Sequence, residues 1–185
     1  MTSHSATSRA FRIGYLTAIE TPDGGFVAGL LVTNRFGRPV EFQCTSPVRP
    51  TRPQQLLYGA TLQPFLLGEL MGRALVERLG TTPDLLVTDH EAILELRNHI
   101  DVPMACVASG DSDLETDTAP PLGRVRIGQR VLTVHSAHDD DAAALHHGAT
   151  QIAESADLQE PLGRVRLALQ ETLDDQDTHT RGTRA

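Results

Sequence analysis

The sequence predicts a single α/β domain built on a mixed sheet, and two patterns support this prediction. Residues 11–46 hold three strand-like segments joined by short turns, which is typical of an antiparallel meander. Further along the chain, apolar helices alternate with short apolar strands, and this alternation requires crossover connections between parallel strands. A strand and two helices then complete the domain. We expect it to span residues 11–173.

Each segment of the meander has the hydrophobic pattern of a strand. Residues 11–20 precede the turn sequence TPDGG, in which Asp23 and Gly24 suit positive φ. Residues 26–34 form a nearly continuous apolar run, as expected of an interior strand. Residues 39–46 alternate apolar with polar side chains, so this strand should bury only one face.

The crossover region follows a proline-rich connection. A helix with an apolar face is predicted to begin or kink at Pro64 and to end before Gly80. Residues 83–89 (PDLLVTD) and 102–109 (VPMACVAS) read as short buried strands. The segment HEAILELRNHI between them predicts a short helix, so each strand is reached through a helix.

The C-terminal part of the chain predicts a strand or hairpin in RVRIGQRVLTVHS, then a helix from about Ala142 to Ser155, then a helix in EPLGRVRLALQETL. The hexapeptide PLGRVR occurs at 121–126 and again at 161–166. The sequences that flank the two copies are not similar, so an internal repeat is not predicted.

Three polar segments define the expected boundaries of the domain. Residues 1–10 and 174–185 are polar and predict disordered tails. Residues 108–121 are acidic and proline-containing, and they predict a long surface loop.

Composition narrows the classes of function. The net charge is −8 and the chain contains no lysine, so broad, non-specific nucleic-acid binding is not expected. The sequence contains no apolar run long enough to cross a bilayer and no secretory signal pattern. Cys44 and Cys106 lie far apart without the spacing of a disulfide framework or zinc site. We therefore expect a cytoplasmic protein without a membrane partner.

The element order, together with the segment PDLLVTDHEAILELRNHIDVPMACVAS (83–109), resembles the ribonuclease H-like fold and in particular the central part of endonuclease V proteins. The resemblance implies two-metal hydrolysis of nucleic acid, with carboxylates from several elements holding divalent ions. It places a metal-binding aspartate at Asp89, and Glu69 on the long helix could supply a second carboxylate. The family's first-strand aspartate has no counterpart in RIGYLTA, so the resemblance also implies that this chemistry is lost.

The segment Asp89-His90-Glu91 lies where a strand meets a helix. Ligands of open α/β sheets bind outside the carboxyl ends of parallel strands, so these residues are candidates for catalysis or binding. The alternative is ordinary helix capping, with Asp89 as the N-cap and an acidic first turn.

A second candidate site follows the meander. Arg49, Arg52, Gln54 and Tyr58 lie in a proline-rich segment whose composition suits a recognition loop for a protein partner. A solvated loop is the alternative interpretation.

The stretch LTVHSAHDDDAAALHH offers a possible metal site. His135, His138 and Asp139 could supply three ligands, the number typical of catalytic zinc, but their spacing matches no known metallohydrolase motif. A strand end, a turn and a helix capped by Asp141 explain the same residues.

Three functions remain open on the sequence alone. The first is a non-catalytic binding or regulatory protein on a degenerate ribonuclease H-like scaffold, with a protein partner or a second copy as the expected ligand. The second is a divalent-metal nuclease or phosphohydrolase that uses Asp89. The third is a structural subunit that forms oligomers. The absence of nucleophile motifs and of a first-strand carboxylate favours the first, so enzymatic activity is not expected.

Overall fold

The computed structural model describes residues 10–107 and 123–182, with side chains through Asp175. The predicted acidic loop at 108–121 and most of the predicted N-terminal tail at 1–10 lie outside the described residues. The division into one domain with two tails therefore stays a prediction.

Seven strands form one mixed sheet within the described residues, in the order β3-β2-β1-β4-β5-β7-β6. The strands are β1 (Arg12–Glu20), β2 (Phe26–Asn34), β3 (Pro39–Cys44), β4 (Leu85–Thr88), β5 (Met104–Val107), β6 (Arg124–Ile127) and β7 (Arg130–Val134). The first three strands pair antiparallel, whereas β4 runs parallel to both β1 and β5. The predicted meander and its parallel crossovers are thus confirmed, and the C-terminal segment is a β6–β7 hairpin that pairs antiparallel with β5.

The helices connect the strands and cover both faces of the sheet. They are α1 (Arg52–Tyr58), a single 3₁₀ turn (Gly59–Thr61), a π-helix (Pro64–Gly72) that continues as α2 (Arg73–Arg78), a longer 3₁₀-helix (Glu91–Asn98), α3 (Asp141–Ala149) and α4 (Gln159–Gly182). The longer one is called the 3₁₀-helix below. The backbone of α4 is helical past Asp174, where the sequence predicted the start of a tail. Within the described residues, no helix combines the length and the apolarity that crossing a bilayer requires.

Two hydrophobic cores lie on opposite faces of the sheet because alternate strand residues point to opposite sides. Tyr15 and Val87 pack in the core beneath α3 and α4, while Leu16 and Leu86 pack in the core beneath the π-helix, α2 and the 3₁₀-helix. Helix α4 approaches β2 so closely that a Cβ atom on Gly29 would lie 2.8 Å from Val165 Cγ1. Glycine at position 29 therefore allows α4 to lie close to the sheet.

Candidate functional site

Asp89 follows the end of β4, at the sheet edge where ligands of α/β proteins bind. The parallel register pairs Leu16 with Thr88, so Thr17 and Asp89 come next along the two strands. Thr17 Oγ1 donates a hydrogen bond to Asp89 Oδ1 over 2.7 Å. The Asp89 side chain is only 4% exposed, and a buried carboxylate requires such partners to offset its lost hydration.

Helix α4 supplies the other partners of Asp89. Arg166 Nη2 forms an ion pair with Asp89 Oδ2, and Gln159 Nε2 donates to the same oxygen over 3.4 Å. Gln159 and Arg166 are seven residues apart, so they lie two turns apart on one helix face. Both carboxylate oxygens are therefore engaged by side chains of β1 and α4.

This arrangement does not fit the two-metal centre that the resemblance implied. The only carboxylate of β1 is Glu20, at the end of the strand, and Thr17 lies where β1 faces Asp89. The guanidinium of Arg166 already pairs with Asp89 Oδ2. Among the residues that the structure describes, no group of three or more His, Cys, Asp or Glu side chains could hold a metal ion.

Glu69, the other predicted metal-binding carboxylate, lies on the π-helix over the opposite core. Its side chain lies near His99, with 3.9 Å between Glu69 Oε2 and His99 Nε2. In the described parts of the chain no hydrogen bond or ion pair joins Glu69 to Asp89. The pairing of these two carboxylates stays a prediction without a supporting contact.

His90 and Glu91 begin the 3₁₀-helix that leaves the sheet edge. The backbone N–H of His90 donates to Thr88 Oγ1 over 3.2 Å. Burial, with smaller contributions from the charges of Asp89 and Glu91, raises the pKa of the nearby Cys106 thiol to about 12. Cys106 therefore carries a protonated thiol at neutral pH, which is a poor nucleophile.

The second candidate site is an exposed helix rather than a loop. Gln54 belongs to a capping box with Thr51, whose backbone N–H donates to Gln54 Oε1 over 2.9 Å. Tyr58 stacks on Phe65 with 4.5 Å between ring centroids. Arg49 approaches Asp23 at 3.8 Å and Arg52 contacts Gln55 at 3.4 Å, so both guanidinium groups are held only by weak surface contacts.

His135 and His138 contact the 3₁₀-helix. His138 Nε2 lies 2.9 Å from Asn98 Oδ1, and Asn98 Nδ2 donates to Glu95 Oε1 over 2.9 Å. Glu95 Oε2 in turn lies 3.8 Å from His135 Nε2. Among the described residues, no hydrogen bond or ion pair joins the Asp139 side chain to either histidine, so the metal hypothesis gains no complete ligand set.

These histidines are distant from Asp89 because of the strand directions. Val134 pairs with Ala105 in the antiparallel β5–β7 register, so His135 lies beside the beginning of β5. Asp89 follows the end of β4, which runs parallel to β5. The two candidate sites therefore lie at opposite ends of the strands. They are about three residues, or roughly 10 Å, apart along the strand direction alone.

Asp141 is buried and does not cap α3, which corrects the sequence-based interpretation. Helix α3 begins at Asp141, and its N-cap residue Asp140 makes no side-chain capping bond. Asp141 instead accepts two hydrogen bonds from Arg97, at 2.7 and 3.0 Å, and a third from the backbone N–H of Met104 at 3.1 Å. This carboxylate joins α3 to the 3₁₀-helix and β5, which is a structural role.

Comparison with known proteins supports the fold. No family model matches the sequence, and no curated protein matches it. Human endonuclease V superimposes with a TM-score of 0.50 at 18% sequence identity, covering 92% of this chain and 87% of that one. Endonuclease V of Ciona intestinalis, bound to a 23mer DNA containing an inosine followed by a ribo-adenosine, superimposes with a TM-score of 0.46 at 13% identity, covering 90% and 88%. The chain thus has a distant likeness in fold to endonuclease V, on a ribonuclease H-like sheet.

Sequence patterns predicted the position of Asp89 at the end of a strand but not the side chains around it. The spacing of Gln159 and Arg166 was visible as a shared helix face, yet nothing in the sequence indicated which element that face would contact. Thr17 gave no signal, because threonine is a common strand residue.

Proposed function

We propose that this chain is a non-catalytic binding or regulatory protein on a nuclease-like scaffold. The observation that carries the proposal is the ion pair between Asp89 and Arg166 at the sheet edge. A carboxylate must be free to coordinate a divalent ion before it can support two-metal hydrolysis. Asp89 is instead committed to an arginine of the same chain.

The residues beside Asp89 support the same proposal. Thr17 contributes a hydroxyl where a two-metal site needs a carboxylate, and the Cys106 thiol is held protonated by burial. The Cys106 thiol therefore offers no activated nucleophile beside Asp89. A scaffold of this kind retains the surfaces of the fold without its chemistry.

A hydrolysis assay tests the proposal directly. Parent protein, Asp89→Asn and Glu69→Gln are incubated with Mg²⁺ or Mn²⁺ and end-labelled single- and double-stranded DNA and RNA, each with and without inosine. We expect the parent to cleave no more than Asp89→Asn, because both leave the site without a bound ion. Cleavage by the parent that Asp89→Asn abolishes would overturn the proposal in favour of a metal-dependent nuclease.

The molecular mass in solution distinguishes the proposed binding protein from the alternative, a structural subunit that forms oligomers. Light scattering after gel filtration at physiological salt, over a hundredfold range of protein concentration, gives the mass of the species. A binding protein that acts on a different molecule is expected at the monomer mass. A concentration-independent dimer would favour the structural subunit instead.

A further inference from the structure

Helix α1 exposes its apolar side chains to solvent. None of its residues is buried, and the side chains of Leu56 and Leu57 are 67% and 84% exposed. Adjacent large exposed leucines are unusual on a surface that contacts only water, and apolar patches of this kind commonly mark interaction sites.

Local contacts are sufficient to hold this helix. Thr51 and Gln54 form its capping box, Pro53 lies in its first turn, and Tyr58 stacks on Phe65 of the following π-helix. An isolated helix of this length would be marginal in water, so these contacts set its conformation. Most of the surface of Leu56 and Leu57 stays exposed and is therefore available to a partner.

The charge around α1 differs from that of the whole chain. No Asp or Glu occurs between Glu41 and Glu69, whereas the net charge of the protein is −8. Arg49 and Arg52 lie within this interval. Arg49 is 68% exposed and lies 3.8 Å from Asp23, whereas no carboxylate among the described residues pairs with Arg52. The α1 surface, defined as Arg49, Arg52, Leu56, Leu57 and Tyr58, thus combines apolar side chains with positive charge on an acidic protein.

We propose that the α1 surface docks an acidic peptide segment of a protein partner, with large apolar side chains of that segment covering Leu56 and Leu57. This inference rests on the proposed binding function and names its ligand. Apolar anchors provide most of the affinity at such interfaces, while charges of opposite sign select and orient the partner. An acidic segment is complementary to Arg52, and the net negative charge of the rest of the chain repels it, so it is directed to α1.

A nucleic acid fits the α1 surface less well than a peptide does. Single strands bind through aromatic rings that stack on bases, and Tyr58, the aromatic side chain of this surface, already stacks on Phe65. Leu56 and Leu57 offer no hydrogen-bond donor to a phosphate. Their exposure is explained by an apolar partner.

The test is selection from an unbiased phage library of random 16-residue peptides on the immobilised full-length protein. Selected peptides are synthesised, and their affinity is measured by fluorescence anisotropy. We expect them to be net negative with at least two large apolar residues, and we expect Leu57→Ser and Arg52→Glu each to weaken binding about tenfold or more. Glutamate in the first turn favours a helix, so the loss in Arg52→Glu is not a loss of α1.

Leu167→Ser is the matched control, since Leu167 is a leucine on α4 with 64% exposure and lies outside the α1 surface. It is expected to bind the peptides with the parent's affinity. Circular dichroism of all three variants should match the parent.

Three results would each overturn the inference: selected peptides that are basic or neutral, binding that is unaffected by both α1 variants, and a dimer of the parent that Leu57→Ser dissociates, since the occupant would then be a second copy. A 20-nucleotide single strand that binds through Arg52 but not Leu57 would likewise overturn it and assign the surface to nucleic acid.

The hydrolysis assay is independent of these outcomes. Failure of the docking surface leaves the proposed non-catalytic role standing, and cleavage by the parent leaves the docking result unchanged.

Discussion

Asp89 and Arg166 form an ion pair although 77 positions of sequence separate them. The aspartate follows β4 and is 4% exposed, whereas the arginine lies on α4 with 35% of its side chain exposed. The pair joins the sheet edge to the helix that covers it. It also places a positive charge next to a buried carboxylate. The stability of the fold and the binding of divalent ions at Asp89 should both depend on this charge.

Removal of Arg166 should destabilise the fold. Arg166→Ala leaves Asp89 buried without its cation, and breaking a buried pair is costly, although the exposure of Arg166 screens part of the charge. We expect the free energy of unfolding to fall by about 1–2 kcal/mol. Urea titration measures this change.

Two further variants separate the ion pair from general effects of arginine removal. Asp89→Asn combined with Arg166→Ala should recover part of the loss, because no buried charge then remains. Arg73→Ala removes the exposed arginine that pairs with Glu77 and should cost less than about 1 kcal/mol. Equal losses in Arg73→Ala and Arg166→Ala would contradict the assignment.

The same geometry predicts how divalent-ion binding could be introduced. Thr17→Asp combined with Arg166→Ala places a second carboxylate beside Asp89 and removes the competing cation. We expect saturable Mn²⁺ binding in this double variant, read by electron paramagnetic resonance, and none in the parent. Thr17→Asn with Arg166→Ala is the isosteric control. Parent binding that Asp89→Asn eliminates would show that Arg166 does not exclude the ion.

The consecutive aspartates Asp140 and Asp141 should differ in how much each contributes to the stability of the fold. Asp141→Asn removes the charge that pairs with Arg97, a residue whose side chain is only 16% exposed, so we expect a loss of about 3 kcal/mol in unfolding free energy. Asp140→Asn alters an exposed side chain without a capping bond and should change stability by less than about 0.5 kcal/mol. Chemical denaturation of the two variants measures both changes in unfolding free energy. Similar losses in the two variants would indicate that both aspartates act through the helix dipole instead.

Alkaline stability should depend on Cys106. Burial raises the pKa of its thiol from 9.0 to about 12, so above pH 9 the unfolded state releases a proton that the folded state retains. Stability is therefore fully present below pH 9 and is lost as the pH rises toward 12, by up to about 1.4 kcal/mol per pH unit. Urea midpoints between pH 8 and 10.5 should decline less steeply in Cys106→Ala than in the parent.

Tyr15 contributes in an overlapping range, because burial raises the pKa of its hydroxyl from 10.0 to about 12. The thiol contribution is thus the difference between parent and variant rather than the parent slope itself. Cys44→Ala retains Cys106 and should keep the parent slope. A slope unchanged in Cys106→Ala would exclude the buried thiol as its source.

Much of the fold was predictable from short-range patterns. The apolar run of β2 and the alternation in β3 follow from the twofold periodicity of strands, and both strands form. The prediction that β3 buries its apolar face is wrong, because Val40 and Phe42 are 45% and 40% exposed. The order of helices and strands after Pro64 was sufficient to predict parallel crossovers. The position of Asp89 after a strand was likewise predictable, because it is a local property of the sequence.

The partners of the candidate residues were not predictable. Asp141 was interpreted as a helix cap from its neighbours in sequence, but its carboxylate binds Arg97, 44 positions away. Asp89 lies far from His138 because β4 and β7 end on opposite sides of the sheet along the strand direction. Glu69 lies on the opposite face of the sheet. Asp89 instead pairs with Arg166, because α4 crosses the face to which Asp89 points. These relations depend on strand order and direction, which no local pattern specifies.

The hexapeptide PLGRVR shows the difference between what local sequence determines and what only the tertiary structure determines. Its first copy contributes Arg124–Arg126 to strand β6, and its second copy lies within helix α4. The sequence by itself determined where apolar periodicity changes and thus the class of the fold, because periodicity is set by neighbouring residues. Only the tertiary structure decided that the last arginine of the second copy would neutralise Asp89, since that pairing requires a helix to be fixed over a particular strand by the packing of the whole core.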